Sequence, residues 1–246
     1  MYHPIKNVLK KIVGKDFLTR NEIILRKLYA LFYSGTNFKC TVCDKRLRKF
    51  IRVFEHDLLC PNCGSLSRTR RLQGILDELI ATGTVKILDF SPHRCMYRKL
   101  KKKKQIEYVS TDYAGEFMAD KKLDIVAIDE PDNAFDLIIC YHILEHIQND
   151  RQAIAELFRI LKPGGKGIIQ TPFKEGGIYE NDSIQTDKER KIHFGLEDHV
   201  RIYSVSGLCE RLENAGFTVN PVRFREKQPD FYGLIDETVI FVEKNE

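Results

Sequence analysis

Four of the seven cysteines stand in two pairs, Cys40-Thr41-Val42-Cys43 and Cys60-Pro61-Asn62-Cys63. Two residues between cysteines let one tight turn aim both sulfurs at a single ion, and two such turns complete a tetrahedral thiolate shell. Soft thiolates in that geometry select zinc. A thioredoxin-like redox pair needs only one C-x-x-C before a helix, and iron–sulfur sites use other spacings. The double knuckle is therefore read as a zinc-ribbon module whose metal ligands are Cys40, Cys43, Cys60 and Cys63. Four thiolates leave no position for water, so the zinc is structural. Gly64 suits the left-handed turn that follows a knuckle.

A second set of residues stands at the ends of apolar runs. Leu88-Asp89-Phe90-Ser91-Pro92, Thr111-Asp112-Tyr113, Asp124-Ile125 and Cys140-Tyr141-His142 each follow or close a stretch that reads as a buried strand. In open α/β sheets, ligands bind beyond the carboxyl ends of the strands. An acid after the second strand accepts hydrogen bonds from ribose hydroxyls, and a later acid accepts from an adenine amino group. The layout fits an adenosine cofactor and does not by itself distinguish NAD from S-adenosylmethionine. The alternative roles are helix caps, surface ion pairs and, for Asp89, a hydrogen bond that fixes its loop. His146 and His199 are candidate bases, because imidazole titrates near neutral pH; each could equally be structural. Arg201 is a candidate for orienting an anionic substrate, or a partner for Asp198.

The elements that position these residues follow from periodicity. Ser67 to Ile80 and Asp150 to Leu161 carry apolar residues at helical spacing. His93 to Lys104 and Val205 to Ala215 read as further helices. Val85–Phe90, Ile106–Thr111, Phe135–Cys140 and Lys166–Thr171 read as strands of a parallel sheet covered on both faces, and Lys162-Pro163-Gly164-Gly165 as a helix stop. Two final strands, Thr218–Phe224 and Thr238–Val242, are expected to pair antiparallel across a short link.

Phe135-Asp136-Leu137-Ile138-Ile139-Cys140, Leu144-Glu145-His146 and Leu161-Lys162-Pro163-Gly164-Gly165 resemble the type 11 group of class I S-adenosylmethionine-dependent methyltransferases. So does Pro131-Asp132-Asn133-Ala134-Phe135-Asp136. Glu197-Asp198-His199-Val200-Arg201-Ile202-Tyr203 and Ala215-Gly216-Phe217 are similar to a bacterial subset carrying an N-terminal zinc ribbon. The resemblance runs from about Val85 to the C-terminus. It implies a Rossmann-like doubly wound sheet with a final antiparallel strand and S-adenosylmethionine as cofactor. It places Asp112 on the ribose, Asp124 and Ile125 about the adenine, and Cys140 to His142 at the methionine end, with Asp89, Phe90, Ser91, Pro92 and Tyr113 completing the site. The first loop departs from the family, which is usually glycine-rich there: Phe90-Ser91-Pro92-His93-Arg94-Cys95 has no glycine.

The 246 residues divide on this reading into an N-terminal helical segment (1–37), the zinc-ribbon module (38–66) and a methyltransferase domain (67–246) with a lid at about 174–203. The expected reaction is methyl transfer to oxygen or nitrogen of a small or saccharide-like acceptor. An RNA methyltransferase using its ribbon on RNA, or an inactive interaction protein on the same scaffold, stay open. G-x-G-x-x-G is missing from the first loop, against a dehydrogenase, and no Asn-Pro-Pro-Tyr motif follows the fourth strand, against base-amino methylation. The net charge of +5 is modest; its excess lies in Arg68, Arg70 and Arg71 and in the run from Arg98 to Lys104, read as solvated faces or phosphate contacts. No apolar stretch reaches transmembrane length and Met1 to Lys15 reads as a basic amphipathic helix, not a secretory signal, so the expectation is a cytoplasmic protein.

Overall fold

A computed structural model describes residues 17, 20–53, 57–80, 85–115 and 117–245. The amphipathic segment Met1 to Lys15 lies outside them. Two compact units partition the chain: Met1–Ala81 with Arg225–Asp236, and Thr82–Phe224 with Glu237–Glu246.

In the first unit, α1 (Glu22–Leu31) precedes β1 (Ser34–Lys39), β2 (Arg46–Leu47), β3 (Ile51–Val53), β4 (Asp57–Leu59) and α2 (Ser67–Leu79). β1 pairs with β2 and β3 with β4, both antiparallel. Ile51, Val53, Leu59 and Leu66 form a small core against Tyr29 and Tyr33. Val42, Leu47, Phe50, Leu72, Ile75 and Leu76 are also buried in this unit, and polar ties add to that packing. The main one is Arg70 on α2, which is fully buried. Its Nε donates to Tyr232 O (2.7 Å), Nη1 to Ser65 O (2.8 Å), and Nη2 to Leu58 O (3.0 Å) and Gly233 O (2.6 Å). The guanidinium stacks 4.1 Å from the Phe50 ring centroid. Arg71 is likewise buried, on Glu226 and Ile235 O. Two of the three arginines expected on a solvated face are thus internal struts, because the returning segment Arg225–Asp236 offers carbonyls that need donors. That segment is the link between the last two strands, and it belongs to the first unit.

The second unit holds β5 (Val85–Phe90), α3 (Arg94–Leu100), β6 (Ile106–Thr111), β7 (Phe135–Tyr141), a short 3-10 helix (Leu144–His146), α4 (Asp150–Ile160), β8 (Leu161–Gln170), β9 (Tyr179–Glu180), α5 (Asp187–Phe194), β10 (Arg201–Ile202), α6 (Val205–Asn214), β11 (Thr218–Phe224) and β12 (Glu237–Glu243). Its six-stranded sheet has the order β11-β12-β8-β7-β5-β6. β6, β5, β7 and β8 are parallel neighbours, and β12 runs antiparallel between β8 and β11. This is the mixed, mostly parallel sheet of a Rossmann-like methyltransferase fold. Leu88, Ile138 and Ile169 on the strands meet Ile154 and Leu157 of α4 and Leu208 and Leu212 of α6 in one core.

β8 begins five residues earlier than its apolar run suggests. Leu161 pairs with Phe135 directly after α4, and the register shifts before Leu137. The Lys162-Pro163-Gly164-Gly165 stop is thus absorbed into an irregular strand start, with Gly164 at φ +72° and its N–H donating to Lys244 O.

Candidate functional site

The order of successive strands reverses at β5: β6 lies on one side and β7 on the other. Such a switch point opens a crevice beyond the carboxyl ends, where ligands bind. The loops after β5, β6 and β7 carry most of the residues singled out from sequence.

After β5, Ser91 adopts φ +48°. This is the left-handed bend that glycine would take without strain. Serine is held there by its own hydrogen bonds: its N–H donates to Thr111 O (2.7 Å) and its Oγ to Asp112 Oδ1 (2.7 Å). The glycine-poor loop therefore makes its turn by another means. Asp89 is buried, and its Oδ2 accepts the Tyr108 hydroxyl at 2.8 Å. Burial pushes its carboxyl up to about 7, against the pull of the Tyr108 hydrogen bond. Asp89 thus ties β5 to β6 in the interior. Phe90 and Pro92 are buried beside it.

After β6, Asp112 is 6% exposed. Its Oδ1 takes Ser91 and its Oδ2 takes the Phe117 N–H (3.1 Å). Tyr113, Phe117 and Met118 follow on the same loop with large exposed apolar surfaces. Asp124 closes a turn of its own, Oδ1 accepting the Val126 N–H at 3.1 Å, while Ile125 is buried in the core.

After β7, Cys140 is fully buried and its thiol is pushed up by burial, so it is a core residue with no nucleophilic character. Tyr141 is half-buried. His142 takes φ +55°, and its Nδ1 lies 3.1 Å from Glu145 Oε1. Glu145 is 1% exposed. Burial pushes its carboxyl up, but the His142 hydrogen bond and charge, with His146, outweigh that and hold it below its usual range. His146 and His199 meet edge to face with centroids 4.7 Å apart. His146 Nδ1 stands 3.2 Å from Asp198 Oδ2. Burial, followed by the neighbouring His146, pushes His199 down, which keeps its ring neutral near pH 7. Glu145 escaped the sequence reading as a site residue. The signal was its position between His142 and His146, and what hid it is that only the 3-10 turn brings His199 alongside.

Arg201 is not free to meet a substrate. It is 4% exposed; Nε donates to Glu180 Oε2 (2.8 Å), Nη2 to Gln148 O (2.9 Å) and Nη1 to Leu144 O (3.2 Å) and Ile147 O. Its partners are Glu180, Asp150 at 3.8 Å and the carbonyls of Leu144, Ile147 and Gln148, not Asp198. Arg211 bridges Asp150 and Glu180, and the buried Tyr203 hydroxyl donates to Asp150. This network fastens the base of the 174–203 excursion, where β9 and β10 pair antiparallel and α5 starts with a capping box from Thr186 and Glu189. Tyr179 and His193 are also paired, hydroxyl to Nδ1 at 2.7 Å.

In the first unit the four sulfurs converge. Cys40 Sγ lies 3.7 Å from Cys63 Sγ, and Cys43 Sγ lies 3.8 Å from Cys60 Sγ. Thiolates at about 2.3 Å from one tetrahedral ion stand roughly 3.8 Å apart, so the donor set fits zinc. The two knuckles share one backbone plan. Asp44 N–H donates to Cys40 O and Gly64 N–H to Cys60 O, with Asp44 at φ +58° and Gly64 at φ +81°. Ser65 Oγ and Asn62 Nδ2 lie 3.2 Å from Cys40 Sγ and Cys43 Sγ, as outer-shell groups do.

Comparison with known proteins bears on the second unit and its fold. The family model described as "Methyltransferase domain" matches residues 66–222, well over half of the chain. A Mycolicibacterium smegmatis protein described as a "probable S-adenosylmethionine-dependent methyltransferase" is 28% identical over 89 residues, 36% of this chain and 31% of the relative. The phosphoethanolamine N-methyltransferase of Triticum aestivum is 30% identical over 115 residues, 47% of this chain and 21% of the relative. The chain thus spans about a third or less of the length of these curated relatives. Among solved structures, an S-adenosylmethionine-dependent methyltransferase from Archaeoglobus fulgidus superposes with a TM-score of 0.50 at 17% identity, covering 71% of this chain and 93% of that one; the likeness is one of fold. The chain belongs to the methyltransferase-domain family.

Proposed function

We propose that this protein transfers the methyl group of S-adenosylmethionine to an oxygen or nitrogen of a small or saccharide-like acceptor. The observation that carries the reading is the set of loops at the switch point. Asp112 offers carboxylate acceptors beside an exposed apolar surface of Tyr113, Phe117 and Met118, which suits a nucleoside with its two ribose hydroxyls and flat base. When bound, the cofactor supplies a methyl group already activated by a sulfonium centre. The chain's share is alignment and a polar surround. The loops after β5 and β6 hold the nucleoside, and the turn after β7 faces the acceptor. There the neutral His199, with His146 and Glu145, draws the proton from an acceptor hydroxyl or ammonium. Asp89 serves as an internal strut that shapes the first loop.

The four cysteines hold one structural zinc, which secures the knuckles of the first unit without touching the chemistry. The names of the relatives, phosphoethanolamine N-methyltransferase included, are compatible with a small acceptor. Within the basic run, Lys101 is engaged by Asp120 at 2.6 Å and by Tyr108 O. The test uses methyl-labelled S-adenosylmethionine with a panel of sugars, amino sugars and phosphoamines, and structured RNA in parallel. Label in the small-acceptor fraction is expected; label in RNA alone overturns the acceptor class.

A further inference from the structure

We propose that Glu145, His146 and His199 form a second metal site, for a divalent transition ion of the zinc class, with an open coordination position that takes an acceptor oxygen. The acceptor half of this statement rests on the methyl-transfer reading; the site itself does not. A carboxylate oxygen of Glu145 and one nitrogen from each imidazole all lie within 4.8 Å of one another. Ligands at about 2.0–2.2 Å from one tetrahedral ion stand roughly 3.4 Å apart, so side-chain rotations of about an ångström close the cluster.

Two observations point to a ligand rather than to packing. Glu145 is 1% exposed and its Oε2 is buried with no hydrogen-bond partner, which is costly for a carboxylate unless a cation completes it. Each candidate ligand also has a hydrogen-bonding or charged neighbour outside the trio. His142 holds Glu145 Oε1, Asp198 stands at His146 Nδ1, and the Phe194 backbone accepts a hydrogen bond from His199. Metal-bound imidazoles and carboxylates are oriented in this way, with one atom fixed so that the other faces the ion.

The donor set names the ligand class. Two imidazoles and one carboxylate suit zinc, iron or nickel, and are too rich in nitrogen for calcium or magnesium. Three protein ligands leave a position open, unlike the closed thiolate set of the first unit. His146 and Asp198 are partly exposed, so the open side meets solvent. With the three side chains occupied as ligands, an acceptor hydroxyl bound there releases its proton to water at the exposed side, in place of the imidazole base of the metal-free site.

The experiment titrates cobalt(II) into purified full-length protein treated with a mild chelator that leaves the thiolate-bound metal in place. One equivalent should bind with the visible absorption of nitrogen and oxygen ligation and without a near-ultraviolet thiolate band. Glu145→Gln and His146→Asn should each weaken that binding at least tenfold; His146 lies at the surface, so its variant keeps the fold if the buried Glu145 variant does not. Uptake showing only the thiolate band, no uptake, or unchanged affinity in the His146 variant overturns the proposal. Cofactor calorimetry on the same samples separates the two readings. Cofactor binding without cobalt uptake removes the metal site alone. Cobalt uptake without cofactor binding removes methyl transfer and retains the metal centre.

Discussion

Asp89 and Ser91 sit two residues apart and strain the chain in different ways. Asp89 titrates at about 7 when folded, above its ordinary 3.8, because ionising it in the interior is unfavourable. The unfolded chain therefore releases this proton first. The stability associated with the neutral form is full below about pH 4 and is lost as the pH rises through about 7, on the order of a few kcal/mol. Asp89→Asn keeps an oxygen for the Tyr108 hydroxyl and cannot ionise. Urea unfolding of the variant should be flatter from pH 4 to 7 than that of the wild type; parallel curves would show that Asp89 is solvated. Ser91 holds a left-handed conformation that costs a non-glycine residue about 1–2 kcal/mol, offset by its bond to Asp112. Ser91→Gly should then change stability by less than about 1 kcal/mol. Ser91→Val, which adds β-branching and removes the hydroxyl, should cost about 2–3 kcal/mol in thermal or urea melts.

At the scale of elements, α2 shows where a helical pattern informs and where it misleads. Its apolar residues Leu72, Ile75 and Leu76 point inward as their spacing requires. The arginines just before them were expected outside, and Arg70 and Arg71 are inside. No local rule reveals this, because the carbonyls Arg70 satisfies at Tyr232 and Gly233 come from a segment more than 160 residues away. Arg70→Met should destabilise the first unit by about 3 kcal/mol or more, since it leaves several buried carbonyls without donors. Limited proteolysis around the knuckles reads this out, and unchanged resistance would contradict the strut. The strand ends were legible for the opposite reason. Asp112 and Ser91 lie within one or two residues of apolar runs whose period fixes their place, so their convergence follows from the sheet order alone. Arg201 was not legible as a strut, because three of its four acceptors are carbonyls in or just after the 3-10 turn Leu144–His146, which has no periodic signal.

At the scale of the molecule, the two units answer to two chemistries. In the first, four thiols lie within bonding distance of one ion and tie two separate turns together, so metal and fold are coupled. One zinc per chain should be retained by these cysteines, and Cys60→Ser should release it and open the knuckles to protease; full resistance without zinc would contradict a structural metal. The double C-x-x-C spacing made this site readable before any fold was known. In the second unit, the sheet order and the loops after β5, β6 and β7 were readable, whereas the approach of His199 to Glu145 across 54 positions was not. No helix among the described residues is long and apolar enough to cross a membrane. The central claim is that the switch point of the second unit binds S-adenosylmethionine. Calorimetric titration of the wild type and Asp112→Ala with S-adenosylmethionine and its demethylated product tests it directly. Saturable binding of both compounds at one site per chain, weakened by about 1–3 kcal/mol in the variant, is the result expected for lost charge-assisted hydrogen bonds. Folded wild-type protein that takes up neither compound, or a variant that binds both as tightly, would contradict it.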